Sequence, residues 1–363
     1  MKKRMLALVL ATMMGASVMA CAAPAAAPAA APAAAPAAEE KKEEAAPAEE
    51  AATEEAEPAA EGETKKRKIG IATYAMSNVA IYPLLQGMID VVKEHGDEYV
   101  LVSAQSSNDT AGQIQVVEEL VNRDDIDAIA VDSVNDTHFK DCVAKANQKG
   151  IPMAFNDIPY AAIDDDHWVV ANVKVDNYKG AYDSASRMID DFDGKAKVIM
   201  LTLDVNQAVH PRSEAFRDIV KENPGIEVLA EENGEFEIAK ATDQVSNLIM
   251  AHPDAEAILA IIDNYSIGAS AALKAAGRTD VKIYSFDGSP DILPLIANGD
   301  VECSAWQNFE EMGRQTVQAL YDYMDGTNTE INREITVDPV LFSKDNIEEV
   351  QAMFDNYSYD FVN

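Results

Sequence analysis

Cysteine is scarce, with three residues in a chain of 363. That number builds no disulfide framework, and no Cys-x-x-Cys metal or redox spacing occurs. Basic residues are also few: Lys and Arg number 29 against 63 Asp and Glu, a formal net charge of −34. So acidic a chain repels phosphate backbones, which excludes nucleic acid as the expected partner. Beyond the N-terminal segment no apolar run is long enough to span a bilayer. Phosphate-loop and dinucleotide glycine motifs are absent, as are H-E-x-x-H and G-x-S-x-G. The five histidines are scattered without ligand spacing. The acidic run Asp190-Asp191-Phe192-Asp193-Gly194 is too short for a calcium loop and lacks the distal Glu. No metal, cofactor or catalytic residue is expected.

Hydrophobic residues form 48% of the chain, enough for a buried core, and the length predicts two domains with room for a tail. The N-terminus reads as an address. Lys2, Lys3 and Arg4 precede an apolar stretch from Met5 to Met14 and then small residues, so residues 1–21 are expected to be a secretory signal. Val18-Met19-Ala20-Cys21 resembles a bacterial lipobox, which would make Cys21 the lipidated first residue of the mature chain. Residues 22–38 contain only Ala and Pro, and residues 39–63 carry eleven Glu against two Lys. Neither stretch can bury a core, so residues 22–67 are expected to be a disordered tether.

From Lys68 the pattern changes. Apolar runs at Lys68–Thr73, Tyr99–Ser103, Ala128–Asp132, Pro152–Asn156, Ala196–Leu201, Glu227–Ala230, Ala257–Ala260, Lys282–Phe286 and Cys303–Trp306 predict about nine strands. Amphipathic stretches such as Ile81–His95, Thr110–Arg123, Asn177–Asp191, Arg212–Glu222, Glu237–Ala251 and Ser266–Ala276 separate them. Strands alternating with helices predict parallel sheets covered on both faces. Nine strands exceed one small doubly wound sheet, so two Rossmann-like α/β lobes are expected.

Sheets of this kind hold ligands beyond the C-terminal ends of their strands. Asp and Asn collect there: Tyr74 to Asn78, Asp132, Asn156-Asp157, Asp263-Asn264 and Phe286-Asp287-Gly288. Helix capping and turn formation account in part for Asp132, Asp176 and Asp263. They account less well for Asp287, since Gly288 and Pro290 already supply a turn. Carboxylates, amides and Arg suit hydroxyl groups, and aromatic rings suit the C–H faces of sugars. Asn78, Asp157, Arg212, Asp287 and Gln307 with Phe236 and Phe286 make such a set.

The chain from Lys68 to Leu341 resembles bacterial type I periplasmic solute-binding proteins, in particular the ribose-binding branch. Lys68-Ile69-Gly70-Ile71 with Ser77-Asn78, Ala144 through Pro152, Ala251-His252-Pro253-Asp254, Gly268-Ala269 and, most specifically, Phe286-Asp287-Gly288-Ser289-Pro290-Asp291 carry the likeness. It implies two lobes, 68–175 plus 308–338 and 176–307 plus 339–363, joined by three hinge crossovers around a ligand cleft. It implies ligand contacts from Asn78, Asp157, Arg212, Phe236, Phe286, Asp287 and Gln307. Departures from the ribose pattern are Ala80 and Ile81 for a Phe pair, Ile158 for an Arg, Ile262 for an Asn, and Tyr74 at a position usually small and polar. They make Tyr74 a further candidate contact. They leave another pentose, a hexose, a polyol or a furanose-like signal such as autoinducer-2 open.

The resemblance implies an extracytoplasmic lipoprotein that captures a monosaccharide-like solute by lobe closure and delivers it to the permease of an ABC importer. The expected form is a monomer on the outer face of the cell membrane, tied there by its lipid anchor. A second reading keeps the fold as a sugar or autoinducer-2-type sensor facing a chemoreceptor or kinase. A glycosidase using Asp157 and Asp287 as a carboxylate pair is a third class; a non-enzyme is expected.

Overall fold

The computed structural model describes residues 65–204, 209–234 and 237–362. The signal segment with Cys21, the tether through Thr64, and Phe236 lie outside the described residues. In chain order the elements begin β1 (Lys68–Thr73), α1 (Tyr82–Glu94), β2 (Glu98–Ser103), α2 (Thr110–Asn122), β3 (Ala128–Ser133), α3 (Lys140–Lys149), β4 (Met153–Asp157) and β5 (Ala171–Val175). Next come α4 (Asn177–Asp191), β6 (Ala196–Thr202), α5 (His210–Glu222), β7 (Ile226–Asn233), α6 (Ile238–Ala251), β8 (Ala257–Ala260), α7 (Asp263–Ala276), β9 (Lys282–Asp287), α8 (Leu293–Asn298) and β10 (Cys303–Trp306). Helix α9 (Phe309–Met324), β11 (Arg333–Val337), β12 (Val340–Ser343) and α10 (Ile347–Asp355) follow.

The strands form two six-stranded sheets, ordered β11-β5-β4-β3-β1-β2 and β12-β10-β9-β8-β6-β7. Only β10 with β12 pairs antiparallel among the described residues. In each sheet the chain reverses direction beside the first strand, at β1/β3 and at β6/β8. A doubly wound sheet opens a crevice for a ligand at such a reversal. The central strands are apolar on both faces, and all of β3 and all of β8 are buried.

The described residues hold twelve strands rather than nine. The three unforeseen ones are β5, β11 and β12; the first two mix polar residues into their runs, and the third is short. β11 lies at a sheet edge and alternates half-buried with exposed residues before the buried Val337. β12 is an edge strand of four residues. β5 carries Asn172 in its middle, buried and satisfied by Tyr160 N–H at 2.8 Å, the Tyr160 carbonyl at 3.1 Å and Glu334 Oε1 at 2.9 Å. A polar residue whose partners lie elsewhere in the fold reads locally as a loop.

Three passages connect the sheets, from β5 to α4 at Asp176, from β10 to α9 through Gln307-Asn308, and from β11 to β12 through Asp338-Pro339. They are bonded to one another. Asp176 N–H donates to the Val337 carbonyl at 3.0 Å, and Asn308 Nδ2 to the Asp338 carbonyl at 3.2 Å. Asp176 also caps α4 through Lys179 N–H at 2.8 Å, a contact worth about 1 kcal/mol. Cys142 and Cys303 are buried and free. Burial pushes both thiols up to about 12, which keeps them inert.

Helices α1 and α9 cover one face of the first sheet and touch backbone to backbone. A Cβ on Gly87 would lie 2.1 Å from the Glu310 carbonyl oxygen, and one on Gly313 2.0 Å from that of Leu84. This contact sets where α9 begins, and so where Phe309 and the second passage sit. Gly313→Ala is expected to lower the unfolding free energy in urea by about 3 kcal/mol, the upper end of overpacking costs. An unchanged midpoint would show that the two helices separate freely.

Candidate ligand-binding cleft

A cleft of about 350 Å³ lies between the sheets, within the range of small-molecule pockets of about 300–1,000 Å³. Its walls come from strand exits of both sheets. Tyr74, Asn78, Ala80 and Ile81 follow β1, and Asp157 ends β4. Ile262, Asp263 and Asn264 follow β8, Asp287, Gly288 and Ser289 lie at the end of β9, and Trp306, Gln307 and Phe309 border the second passage. Phe354 of α10 completes the wall.

Two cleft carboxylates sit on strained backbone. Asp157 has φ 65° and Asp287 φ 113°, and Asn308 in the second passage has φ 50°. A non-glycine residue held there costs on the order of 1–3 kcal/mol, and such strain clusters at functional sites. At Gly288 the approach is closer still. A Cβ there would meet the Trp306 Cβ at 2.5 Å, so only glycine lets β9 turn past Trp306.

On the second-sheet side Asp287 is fully engaged. Its Oδ1 accepts from Arg212 Nη1 at 2.6 Å and Gln307 Nε2 at 3.0 Å, and its Oδ2 from Asp263 N–H at 3.3 Å. Arg212 is 3% exposed. Its Nε donates to Asn177 Oδ1 at 2.8 Å, its Nη1 also reaches the Ile261 carbonyl at 3.2 Å, and its guanidinium lies 3.8 Å over the Phe286 ring. Asp263 is equally committed. Its Oδ1 accepts from Ser285 and Ser304 hydroxyls, each at 2.8 Å, and its Oδ2 from Ser289 N–H at 2.6 Å. Burial, and then the charge of Asp287, push the Asp263 carboxyl up to about 7.

The first-sheet side differs. Asp157 accepts no hydrogen bond from any described residue. Enclosure in protein pushes its carboxyl up to about 6, Arg212 pulling it down and Asp287 pushing it further up. Behind it, Asp132 is 2% exposed. Its Oδ2 accepts from Thr73 Oγ1 at 2.7 Å and its Oδ1 has no partner. Burial, then the charge of Asp157, push Asp132 up to about 8, so it is a neutral acid at pH 7. Asn78 Oδ1 takes Ala80 N–H at 3.1 Å and its Nδ2 donates to the Tyr74 hydroxyl at 2.9 Å. Burial holds the Tyr74 phenol far above its ordinary value, so it stays protonated. The unused groups at the cleft are therefore both Asp157 oxygens, the Gln307 Oε1, and the Tyr74 proton.

Of the residues singled out in sequence, Tyr74, Asn78, Asp157, Asp287 and Gln307 line the cleft. Two do not. Phe286 is 0% exposed because strand alternation turns it away from Asp287, under Arg212 and against Gly180 of α4. Arg212 stands behind Asp287, and its described contacts are all protein groups. Phe236 lies outside the described residues. Sequence reasoning missed Trp306, Phe309 and Phe354. The first two flank Gln307 and could have been found as neighbours of a strand exit. Phe354 carries no local signal.

Residues 69–328 match the periplasmic binding protein domain family. The chain belongs to that family. This binding protein is similar to the ribose import binding protein of Bacillus subtilis (strain 168), 26% identical over 263 residues, which are 72% of this chain and 83% of that protein. It is similar to the xylitol-binding protein of Mycolicibacterium smegmatis, 31% identical over 244 residues, 67% of this chain and 68% of that one. Among solved structures, an arabinose binding protein from Geobacillus stearothermophilus shares the fold, with TM-score 0.72 over 78% of this chain and 99% of that chain at 19% identity.

The buried acid Asp132 makes the unliganded binding protein sensitive to pH. Its folded value of about 8 lies above the unfolded value of about 3.9. Its contribution to stability is therefore full below about pH 4 and lost as pH rises to about 8. Asp132→Asn keeps an acceptor for Thr73 and cannot ionise. The variant is expected to melt above wild type, by the smallest margin at pH 5 and by a few degrees at pH 8.5. A margin that does not grow with pH would contradict a neutral Asp132.

Proposed function

We propose that this binding protein captures a monosaccharide, or a polyol of similar size, by lobe closure and delivers it to an ABC importer. The observation that carries the reading is Asp157. It is an enclosed carboxylate with no protein donor, set on strained backbone opposite a second lobe whose own carboxylates are satisfied. A group of that kind seeks donors from a ligand, and hydroxyls supply them. The rings at the other wall suit the C–H face of a sugar. The names of relatives point the same way: ribose and D-apiose import binding proteins and a xylitol-binding protein.

The moving bodies are lobes 68–175 plus 308–338 and 176–307 plus 339–363, hinged at the three bonded passages. Ligand contacts made to both lobes only when closed drive closure, with no covalent step and no enzyme activity. Asp157 then supplies the first-lobe acceptor. Asp287, held by Arg212, and the free Gln307 Oε1 line the second-lobe wall. The protein acts as a monomer.

A melting screen of D-ribose, D-allose, L-arabinose, xylitol and myo-inositol tests the reading. A binder at a hundred times its dissociation constant adds about 2.7 kcal/mol. For that binder, Asp157→Asn is expected to lose about 10–100-fold in affinity, on the order of 1.5–3 kcal/mol, with the unliganded melt at neutral pH no lower than wild type. Ligand hydroxyls favour ionised Asp157. Binding to wild type should therefore weaken from pH 7.5 to pH 5 and release protons near pH 6, read from calorimetry in buffers of different ionisation enthalpy. No shift with any sugar or polyol, or wild-type affinity in Asp157→Asn, would remove the proposal. Asp287→Asn is a poorer probe, since it strands the buried Arg212 and costs stability as well as binding.

The lipobox-like Val18-Met19-Ala20-Cys21 supports a lipid anchor at Cys21 on the outer face of the membrane. Cys21→Ser is expected in the soluble fraction with sugar binding intact. Its retention with membranes would exclude that anchor.

A further inference from the structure

Phe354 sits on α10, which packs on β12 and α8 of the second lobe, and it reaches the cleft beside Trp306. The two rings meet edge to face at 5.9 Å, and Trp306 stacks at 5.3 Å on Phe342 beneath. Beyond α10 the chain runs Tyr357-Ser358-Tyr359-Asp360-Phe361, with the aromatic residues half-buried and the residues between them exposed. Residues Asp360–Val362 form a short 3₁₀ turn, and the contacts of the three aromatic residues carry them onto the first lobe.

The contacts are specific. Tyr357 meets Phe354 at 5.9 Å, and its hydroxyl donates to Glu310 Oε2 on α9 at 2.6 Å. Tyr359 and Phe361 close on the ring of Tyr82, the first residue of α1, at 5.1 and 5.7 Å. Tyr359 holds φ 43°, in the left-handed region. Tyr82 in turn donates from its hydroxyl to the Met76 carbonyl at 2.9 Å, inside the loop that carries Tyr74 and Asn78. One unbroken series of rings thus runs from the second-lobe wall of the cleft to the first-lobe loop.

We propose that residues 354–361 are part of the ligand site. Phe354 with Trp306 forms the ring wall against which the C–H face of the ligand packs, and Tyr357, Tyr359 and Phe361 hold that wall in register with the Tyr74–Asn78 loop. The proposal rests on the sugar or polyol reading of the cleft. It makes Phe354 a specificity-determining residue and the rings beyond it positioning residues. Contact of the C–H face with an aromatic ring is lost with an aliphatic side chain, and the ring of Tyr keeps it.

The test uses the full chain, a chain ending at Asp355, Phe354→Leu and Phe354→Tyr, with D-ribose, D-allose and xylitol as probes. For each probe that binds wild type, Phe354→Leu and the shortened chain are expected to weaken binding at least tenfold, and Phe354→Tyr to stay within threefold. Hydrogen exchange without ligand is expected to quicken at least tenfold at residues 76–81 in the shortened chain, while both sheets keep their protection. Wild-type affinity in Phe354→Leu would overturn the wall, and unchanged exchange at residues 76–81 would overturn the registering role. If none of the probes moves the wild-type melt, the wall falls with the sugar reading. The exchange result still decides whether the rings hold the loop.

Discussion

Arg212 approaches Asp287 at 2.6 Å from almost complete burial, with its guanidinium over the Phe286 ring. A charge so buried is costly unless it is paired and well bonded, and removing its partner is far worse than never having had the pair. Here the remaining capacity is filled. Asn177 and the Ile261 carbonyl take Arg212 donors, and Gln307 and the Asp263 amide give to Asp287. The pair ties α4, α5, β9, the β8–α7 turn and the second passage to one point. It also explains how Asp287 can hold a backbone conformation that its side chain disfavours.

The two walls of the cleft handle acidity differently. The second lobe bonds its carboxylates with a buried cation, the Ser285 and Ser304 hydroxyls, the Gln307 amide and backbone amides. The first lobe uses burial alone. Asp132 stays neutral, and Asp157 stands near its ionisation point with nothing to accept from. In the proposed reading, ligand hydroxyls supply the donors that the protein leaves out on the Asp157 side. The formal charge of −34 has little part in this, for an exposed charge is screened within about 10 Å at ordinary salt.

Much of this architecture was legible beforehand. Parallel sheets bury their strands on both faces and turn their C-terminal ends to a crevice, so an Asp or Asn just after an apolar run is a cleft candidate by geometry. That logic reaches Tyr74, Asn78, Asp157, Asp287 and Gln307, each within a few residues of a strand end. Two lobes followed from the count of such runs, even with β5 and β11 hidden by their polar residues and β12 by its brevity.

Local order along the chain determined the strands, the lobes and the rim of the cleft, because periodicity and capping act over a few residues. Tertiary structure alone decided which rim groups remain free. Strand alternation put Phe286 opposite Asp287, but only packing against Gly180 turned it inward. Arg212 and Asp287 are 75 residues apart, and Tyr359 stands further still from Tyr82, whose ring it meets. Charge neutralisation and ring contact are pairwise forces between distant segments. No reading of either segment by itself contains them.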